Sequence, residues 1–283
     1  MRFGDFPETY CVYENARVAL LPVPFDKTSS WIKGADKGPD AILEASPHLE
    51  WYDIETGVEA FREGIYTADP VDADTAEHIA EATAARVRQL RRDGKFVVAL
   101  GGEHSISLGP IRALAEEYPA LSVLHLDAHG DTREEYEGDR YSHACVMARA
   151  REHVSNVVAV GIRSIDAAEQ KNLDPDKTFY AHQIRRSPAW IEEVVARLNG
   201  PVYISIDVDV FDPSVLPATG TPEPGGLDWY AVTALLFAVC RAHRIAGFDV
   251  VELCPMGHAP SEFLAAKLVY TLLSYVCAHN AWA

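Results

Sequence analysis

No C-x-x-C pair occurs in this chain, and its five cysteines, at 11, 145, 240, 254 and 277, are odd in number. This argues against a disulfide framework and points to free thiols in a reducing compartment. Basic residues are scarce: 25 lysines and arginines stand against 42 aspartates and glutamates, for a net charge of -17. That balance disfavours nucleic acid and anionic membrane as principal partners and is compatible with a small cationic substrate. The N-terminal stretch Met1-Arg2-Phe3-Gly4-Asp5-Phe6-Pro7-Glu8 lacks an apolar signal core, so a cytoplasmic location is expected. The one long apolar run, Phe263 to Ala278, contains Lys267 and is short for a bilayer span; it reads as a buried C-terminal helix. Internal repeats, low-complexity tracts and Pro/Ser linkers are also missing, which makes one domain over 1–283 the simplest account.

What is present alternates. Strand-like apolar runs trade with helix-like stretches over almost the whole length, and 48% hydrophobic residues suffice for a substantial core. The run Val18-Ala19-Leu20-Leu21-Pro22-Val23 opens the series. A helix is expected from Thr75 to Arg92, with Ile79, Ala82, Val87 and Leu90 on one face and Asp93-Gly94 closing it. Further strands are expected at 95–100, 121–127, 157–161, 202–207 and 245–253, and helices near 108–118, 143–151, 166–173, 188–198 and 228–243. This βαβ alternation predicts an α/β fold: a parallel sheet covered by helices on both faces.

Three of those strands end in ligand-type side chains. The first runs into Gly101-Gly102-Glu103-His104, the second into Asp127-Ala128-His129-Gly130-Asp131, and the third into Asp207-Val208-Asp209. In parallel α/β sheets that C-terminal edge is where ligands bind. An isolated aspartate after a strand is usually a turn former or a helix cap. Four aspartates and two histidines at three strand ends form a metal-binding pattern instead. Oxygen and imidazole donors without thiolate suit manganese, magnesium, iron or zinc. Charge argues for two ions, because a lone divalent cation would leave the clustered carboxylates repelling one another and taking up protons. A two-metal centre generates a hydroxide nucleophile at neutral pH, so these residues point to a metallohydrolase.

The three motifs, the last extended as Ser205-Ile206-Asp207-Val208-Asp209-Val210-Phe211-Asp212-Pro213, resemble those of the ureohydrolases: arginase, agmatinase and their relatives. Ala218-Thr219-Gly220-Thr221-Pro222-Glu223-Pro224-Gly225-Gly226-Leu227 and Asp249-Val250-Val251-Glu252 extend the resemblance over about residues 20 to 255. The resemblance implies a three-layer α/β/α fold with a central, mainly parallel sheet, two Mn2+ per chain, and a homotrimer or homohexamer. It assigns His104, Asp127, Asp131 and Asp207 to one ion and His129 and Asp209 to the other, with Asp127 and Asp207 shared. Glu252 would anchor the substrate guanidinium, as paired hydrogen bonds to a carboxylate allow. His143 would shuttle a proton to the departing amine, although Ala144 stands where many relatives have glycine. Thr221 would also contact substrate. In that scheme hydroxide attacks the guanidinium carbon, Asp131 passes its proton toward the leaving nitrogen, and urea and an amine result. His125 and His243 read as packing or surface residues.

The substrate's tail is expected to meet the loop Thr132-Arg133-Glu134-Glu135-Tyr136-Glu137-Gly138-Asp139-Arg140. Its four carboxylates favour a cationic tail such as that of agmatine, which hydrolysis would convert to putrescine and urea. Arg133 stands where arginases carry asparagine, and it offers an alternative, a clamp for the carboxylate of guanidinobutyrate. The segment Val23-Pro24-Phe25-Asp26-Lys27-Thr28 with Gly34 and Gly38-Pro39-Asp40-Ala41-Ile42 also looks like agmatinases, with Trp31-Ile32-Lys33 replacing the usual arginine-rich part. Two readings outside this class are a single-zinc deacetylase-like amidohydrolase and a non-catalytic, metal-stabilised assembly protein.

Overall fold

In the computed structural model, residues 1–280 are described. The elements in chain order are β1 (Val18–Val23), α1 (Gly38–Ala45), β2 (Ile65–Thr67), α2 (Ala76–Arg92), β3 (Phe96–Gly101), α3 (Leu108–Glu117), β4 (Ser122–Leu126) and α4 (Val146–Ala150). They continue with β5 (Asn156–Ile162), β6 (Thr178–Tyr180), α5 (Ala181–Ile184), α6 (Trp190–Arg197), β7 (Val202–Asp207), α7 (Trp229–Ala242), β8 (Ile245–Val251) and α8 (Ala259–His279). All eight strands join one parallel sheet in the order β2-β1-β3-β8-β7-β4-β5-β6.

Strand periodicity divides the core into two layers. On β3, Phe96, Val98 and Leu100 face the layer that holds Leu236 of α7 and Leu268 and Leu272 of α8. The intervening Val97 and Ala99 face the other layer, with Ile79, Val87 and Leu90 of α2. Helix α8 packs on α1 and α7, while α2, α3 and α4 pack in a row, which makes three layers, α/β/α. Because helices cover both faces, β1, β3, β4, β5, β7 and β8 are buried along their whole length, with no alternation of buried and exposed positions. Thr75 caps α2 through the His78 N–H (3.2 Å), and Asp228 caps α7 through that of Ala231 (2.8 Å). Helix α8 is long and apolar enough to cross a membrane by length and composition, but 67% of its apolar window is buried inside the fold.

The helix expected at 166–173 is a loop with a single turn at Gln170–Asn172. The Glu169 carboxylate is buried and accepts from the backbone N–H groups of Thr132 (3.2 Å) and Asp166 (3.1 Å). Those bonds compete with helical pairing and hold the segment against the loop after β4. The short edge strands β2 and β6 and helix α1 were not expected from the sequence pattern.

Candidate active site

Four adjacent strands, β3, β8, β7 and β4, bring the expected residues to one edge of the sheet. His104 follows β3 and Glu252 follows β8; Asp207 ends β7 with Asp209 just beyond, and Asp127, His129 and Asp131 follow β4. In sequence the chain passes from β3 directly to β4, leaving a gap in the sheet that β8 and β7 later fill. Such a switch point opens a crevice at the carboxyl ends of the strands.

Glycine is needed in the turn after β3. A Cβ on Gly102 would lie 1.9 Å from the Phe25 carbonyl oxygen. The close approach lets the Gly102 N–H donate to Val23 O (2.9 Å) and the Glu103 N–H to Phe25 O (2.8 Å), while Gly102 O accepts from the Glu252 N–H (2.8 Å). Asp131 (φ 51°) and Glu252 (φ 63°) both sit in the left-handed backbone region, with Glu137 the third such non-glycine residue described. Each costs roughly 1–2 kcal/mol, so the surrounding structure has to hold them there.

His104 Nδ1 lies 3.0 Å from Asp127 Oδ2, 3.1 Å from Asp131 Oδ2 and 3.5 Å from Asp207 Oδ2. None of these oxygens is aligned for a hydrogen bond with that buried nitrogen. On the neighbouring side, His129 Nδ1 is 2.9 Å from Asp209 Oδ2 and 3.5 Å from Asp127 Oδ1. Two ligand-type groups result, one of His104, His125, Asp127 and Asp131, the other of Asp127, His129 and Asp209, with Asp127 common to both. This is a binuclear metal-ligand cluster of carboxylate oxygens and imidazole nitrogens, the donor set of hard to borderline divalent ions.

The electrostatics fit that donor set. Burial, followed by the charges of Asp209 and Asp127, pushes the Asp207 carboxyl well above the ordinary range. Burial and then the Asp127 charge raise Asp209. Burial opposes protonation of His104, yet Asp127, Asp131 and Asp207 outweigh it and lift the imidazole well above its usual value. So many buried like charges require compensation, and divalent cations at these positions supply it.

Outer contacts fix how the ligands point. His104 Nε2 is 2.9 Å from Ser205 Oγ, whose proton goes to Asp249 Oδ1 (2.8 Å). Ser205 is thereby an acceptor toward Nε2, which carries a hydrogen, and the ring is oriented with Nδ1 facing the carboxylates. Asp249 also accepts from the Tyr203 hydroxyl (2.6 Å). His125, read from the sequence as a packing or surface residue, is indeed buried in β4, but its Nε2 lies 2.7 Å from Asp127 Oδ2. The period of two in a strand puts positions 125 and 127 on one side, a signal that the sequence offered. His243 contacts the Val195 carbonyl far from these residues (3.1 Å).

A cleft of about 240 Å³ opens onto the cluster, and His129, Asp131, His143, Asp207, Thr221 and Glu252 line it together. The Glu252 Oε1 accepts from the His104 N–H (2.6 Å), and burial followed by the nearby Glu103 charge pushes its carboxyl well above the ordinary range. Of the loop 132–140, Arg133 and Tyr136 line the cleft. The carboxylates of that loop do not line the cleft as expected: Glu134 pairs with Arg149 (2.7 Å), and Asp166 and Glu169 are lining acids from outside the loop. Those two residues carried no local motif. Arg133 Nε lies 3.3 Å from Glu169 Oε2, and its guanidinium stands over the Tyr136 ring at 4.9 Å.

Comparison with known proteins agrees with this geometry. The model of the arginase family matches residues 16–274. An N(1)-aminopropylagmatine ureohydrolase of Thermus thermophilus is 40% identical over 98% of this chain and 96% of its own length. A protein of the same name from Synechocystis is 39% identical over 95% of this chain and 92% of its own. The crystal structure of agmatine ureohydrolase of Thermoplasma volcanium superposes with a TM-score of 0.87 at 33% identity, covering 96% of this chain and 93% of that one. With its three-layer fold and the two ligand groups that meet at Asp127, the chain belongs to the arginase family and carries a ureohydrolase-type active site.

Proposed function

We propose that the chain hydrolyses the guanidinium group of an agmatine bearing an N1-aminopropyl arm, releasing urea and the corresponding triamine. The observation that carries this reading is the name shared by the Thermus and Synechocystis relatives, which match nearly the whole chain. Two Mn2+ ions, one held by His104, Asp127, Asp131 and Asp207 and one by His129 and Asp209 with Asp127 and Asp207 shared, would supply a hydroxide nucleophile at neutral pH. Glu252 faces the same cleft and pairs with the planar guanidinium cation. Asp131 accepts the proton of the attacking water and passes it toward the leaving nitrogen. His143 serves the departing amine as a proton donor, a role suited to imidazole near neutral pH. Thr221 contacts substrate from the segment after β7.

The tail of such a substrate is doubly cationic, and the outer cleft suits it. Asp166 lines the cleft, and Trp31, another lining residue, is 70% exposed, where an indole face can receive an ammonium. Arg133, the lining residue considered as a carboxylate clamp, is already engaged by Glu169 and Tyr136. This argues against guanidinobutyrate and arginine. The second reading is agmatine itself, favoured by the likeness to the Thermoplasma enzyme. The same proposal includes one domain over 1–283, supported by the single sheet, and a cytoplasmic homotrimer or homohexamer, which light scattering would count.

The test is urea release with manganese added, comparing kcat/KM for N1-aminopropylagmatine, agmatine, arginine and 4-guanidinobutyrate. The first should lead. Better turnover of agmatine replaces the reading with its alternative, and no urea from any of them overturns the assignment of a guanidino substrate.

A further inference from the structure

His143 is held by contacts from Thr28, which lies outside the ligand motifs, and through it from Glu103. The Thr28 hydroxyl donates to Glu103 Oε1 (2.5 Å) and accepts from the His143 backbone N–H (2.9 Å). The same oxygen lies 3.3 Å from His143 Nδ1. Glu103 is fully buried, and its two oxygens also accept from the Thr28 N–H (2.6 Å), the Ser29 N–H (3.0 Å) and the Ser105 hydroxyl (2.8 Å). A threonine hydroxyl has one proton and two lone pairs. Its proton goes to Glu103, so toward the backbone nitrogen and Nδ1 of His143 it can only accept.

We propose that Thr28, oriented by Glu103, is a positioning residue that fixes the tautomer of His143, with hydrogen on Nδ1 and Nε2 left to exchange protons in the cleft. The inference rests on the reading of His143 as the group that serves the departing amine. It parallels the arrangement at His104, where Asp249 engages the Ser205 proton and so makes Ser205 an acceptor toward Nε2. In both chains a carboxylate acts on an imidazole through a hydroxyl. Ser142 Oγ is also near Nδ1, at 3.2 Å, but its hydroxyl has no other described side-chain bond to fix its role. Tyr136 meets the ring edge-on at 5.8 Å, limiting its rotation.

The experiment compares Thr28→Val, Thr28→Ser, Ser142→Ala and His143→Ala in the manganese-loaded protein, with the substrate that the wild type turns over best. Thr28→Val should lower kcat about tenfold to a hundredfold, within the contribution of a general acid, and leave KM within about twofold. Thr28→Ser keeps the hydroxyl and should restore most of the rate; Ser142→Ala should stay near wild type. In the His143→Ala background Thr28→Val should cost nothing further, because its effect passes through the imidazole. Should Thr28→Val not fold, Thr28→Ala makes the same comparison. Wild-type kcat in Thr28→Val, no rescue by serine, or additive losses in the double variant overturns the inference while leaving His143 in its role. Full activity in His143→Ala overturns the underlying reading of His143 instead.

Discussion

The two edges of the sheet handle charge in opposite ways. At the amino-terminal edge, ionic groups meet complements: Arg91 bonds Glu117 at 2.6 Å, and Arg88 bonds Glu116 at 2.7 Å between the ends of α2 and α3. Lys95, buried before β3, gives its ammonium to the carbonyl oxygens of Tyr13 and Ala16 (2.5 and 2.6 Å). At the carboxyl-terminal edge, carboxylates stand beside carboxylates, Asp207 and Glu252 are pushed well up, and two residues adopt left-handed backbone. One edge is electrostatically satisfied by the chain alone; the other is complete only with cations and substrate. Perturbed groups concentrated at one end of a fold mark where chemistry takes place.

The largest break in that contrast comes from removing a shared carboxylate. Asp207→Asn should abolish manganese retention and urea release, read by elemental analysis and assay. The metal-free variant should nonetheless be more stable than the metal-free wild type by about 0.5–2 kcal/mol, as is common when a strained functional site is relieved. A metal-free variant less stable than the wild type would contradict the account of repulsion at this edge. Next in size is Glu252→Gln, which should keep two ions per chain but lose about 2–5 kcal/mol in kcat/KM, the usual cost of neutralising one partner of a desolvated charge pair. His125→Phe tests the support behind the cluster. Losing the contact to Asp127 should weaken manganese binding about tenfold to a hundredfold in a metal titration, with the fold retained.

The smallest effect belongs to the other edge. Glu117→Gln should change stability by under about 1 kcal/mol and leave kcat untouched, because the pair is partly exposed. The Arg91 hydrogen bond, with burial opposing it, holds the Glu117 carboxyl below its ordinary range. Its contribution is therefore complete above the unfolded value, about pH 4.3, and fades as pH falls through the lower folded one. Urea unfolding from pH 6 to pH 3 should show a shallower loss for Glu117→Gln than for the wild type.

The sequence announced the carboxyl-terminal edge well because its ligands come as short motifs directly after apolar strands. Asp127, His129 and Asp131 alternate so that a locally extended chain presents all three, and nothing distant is needed to see them. Residues that act through tertiary contact were harder to read. Thr28 reaches Glu103 across 75 positions, and Asp249 meets Ser205 across 44. Glu169 lies in a segment whose composition suggested a helix, and only its burial against the loop after β4 reveals why it is not one. Strands β2 and β6 have three residues each, too few to display a period, and they exist because longer neighbours offer an edge.

Strand β8 lies between β3 and β7, yet among the described strands it comes last in chain order. Without it, β2-β1-β3 and β7-β4-β5-β6 are two sets of strands with no backbone ladder between them, bridged by side-chain bonds such as that of Thr28 to the His143 N–H. Strand β8 supplies the backbone ladder that joins those halves and sets β3, which leads to His104, beside β7, which ends in Asp207. A nascent chain stopped before Ile245 would thus expose two bare central edges, each a template for wrong partners.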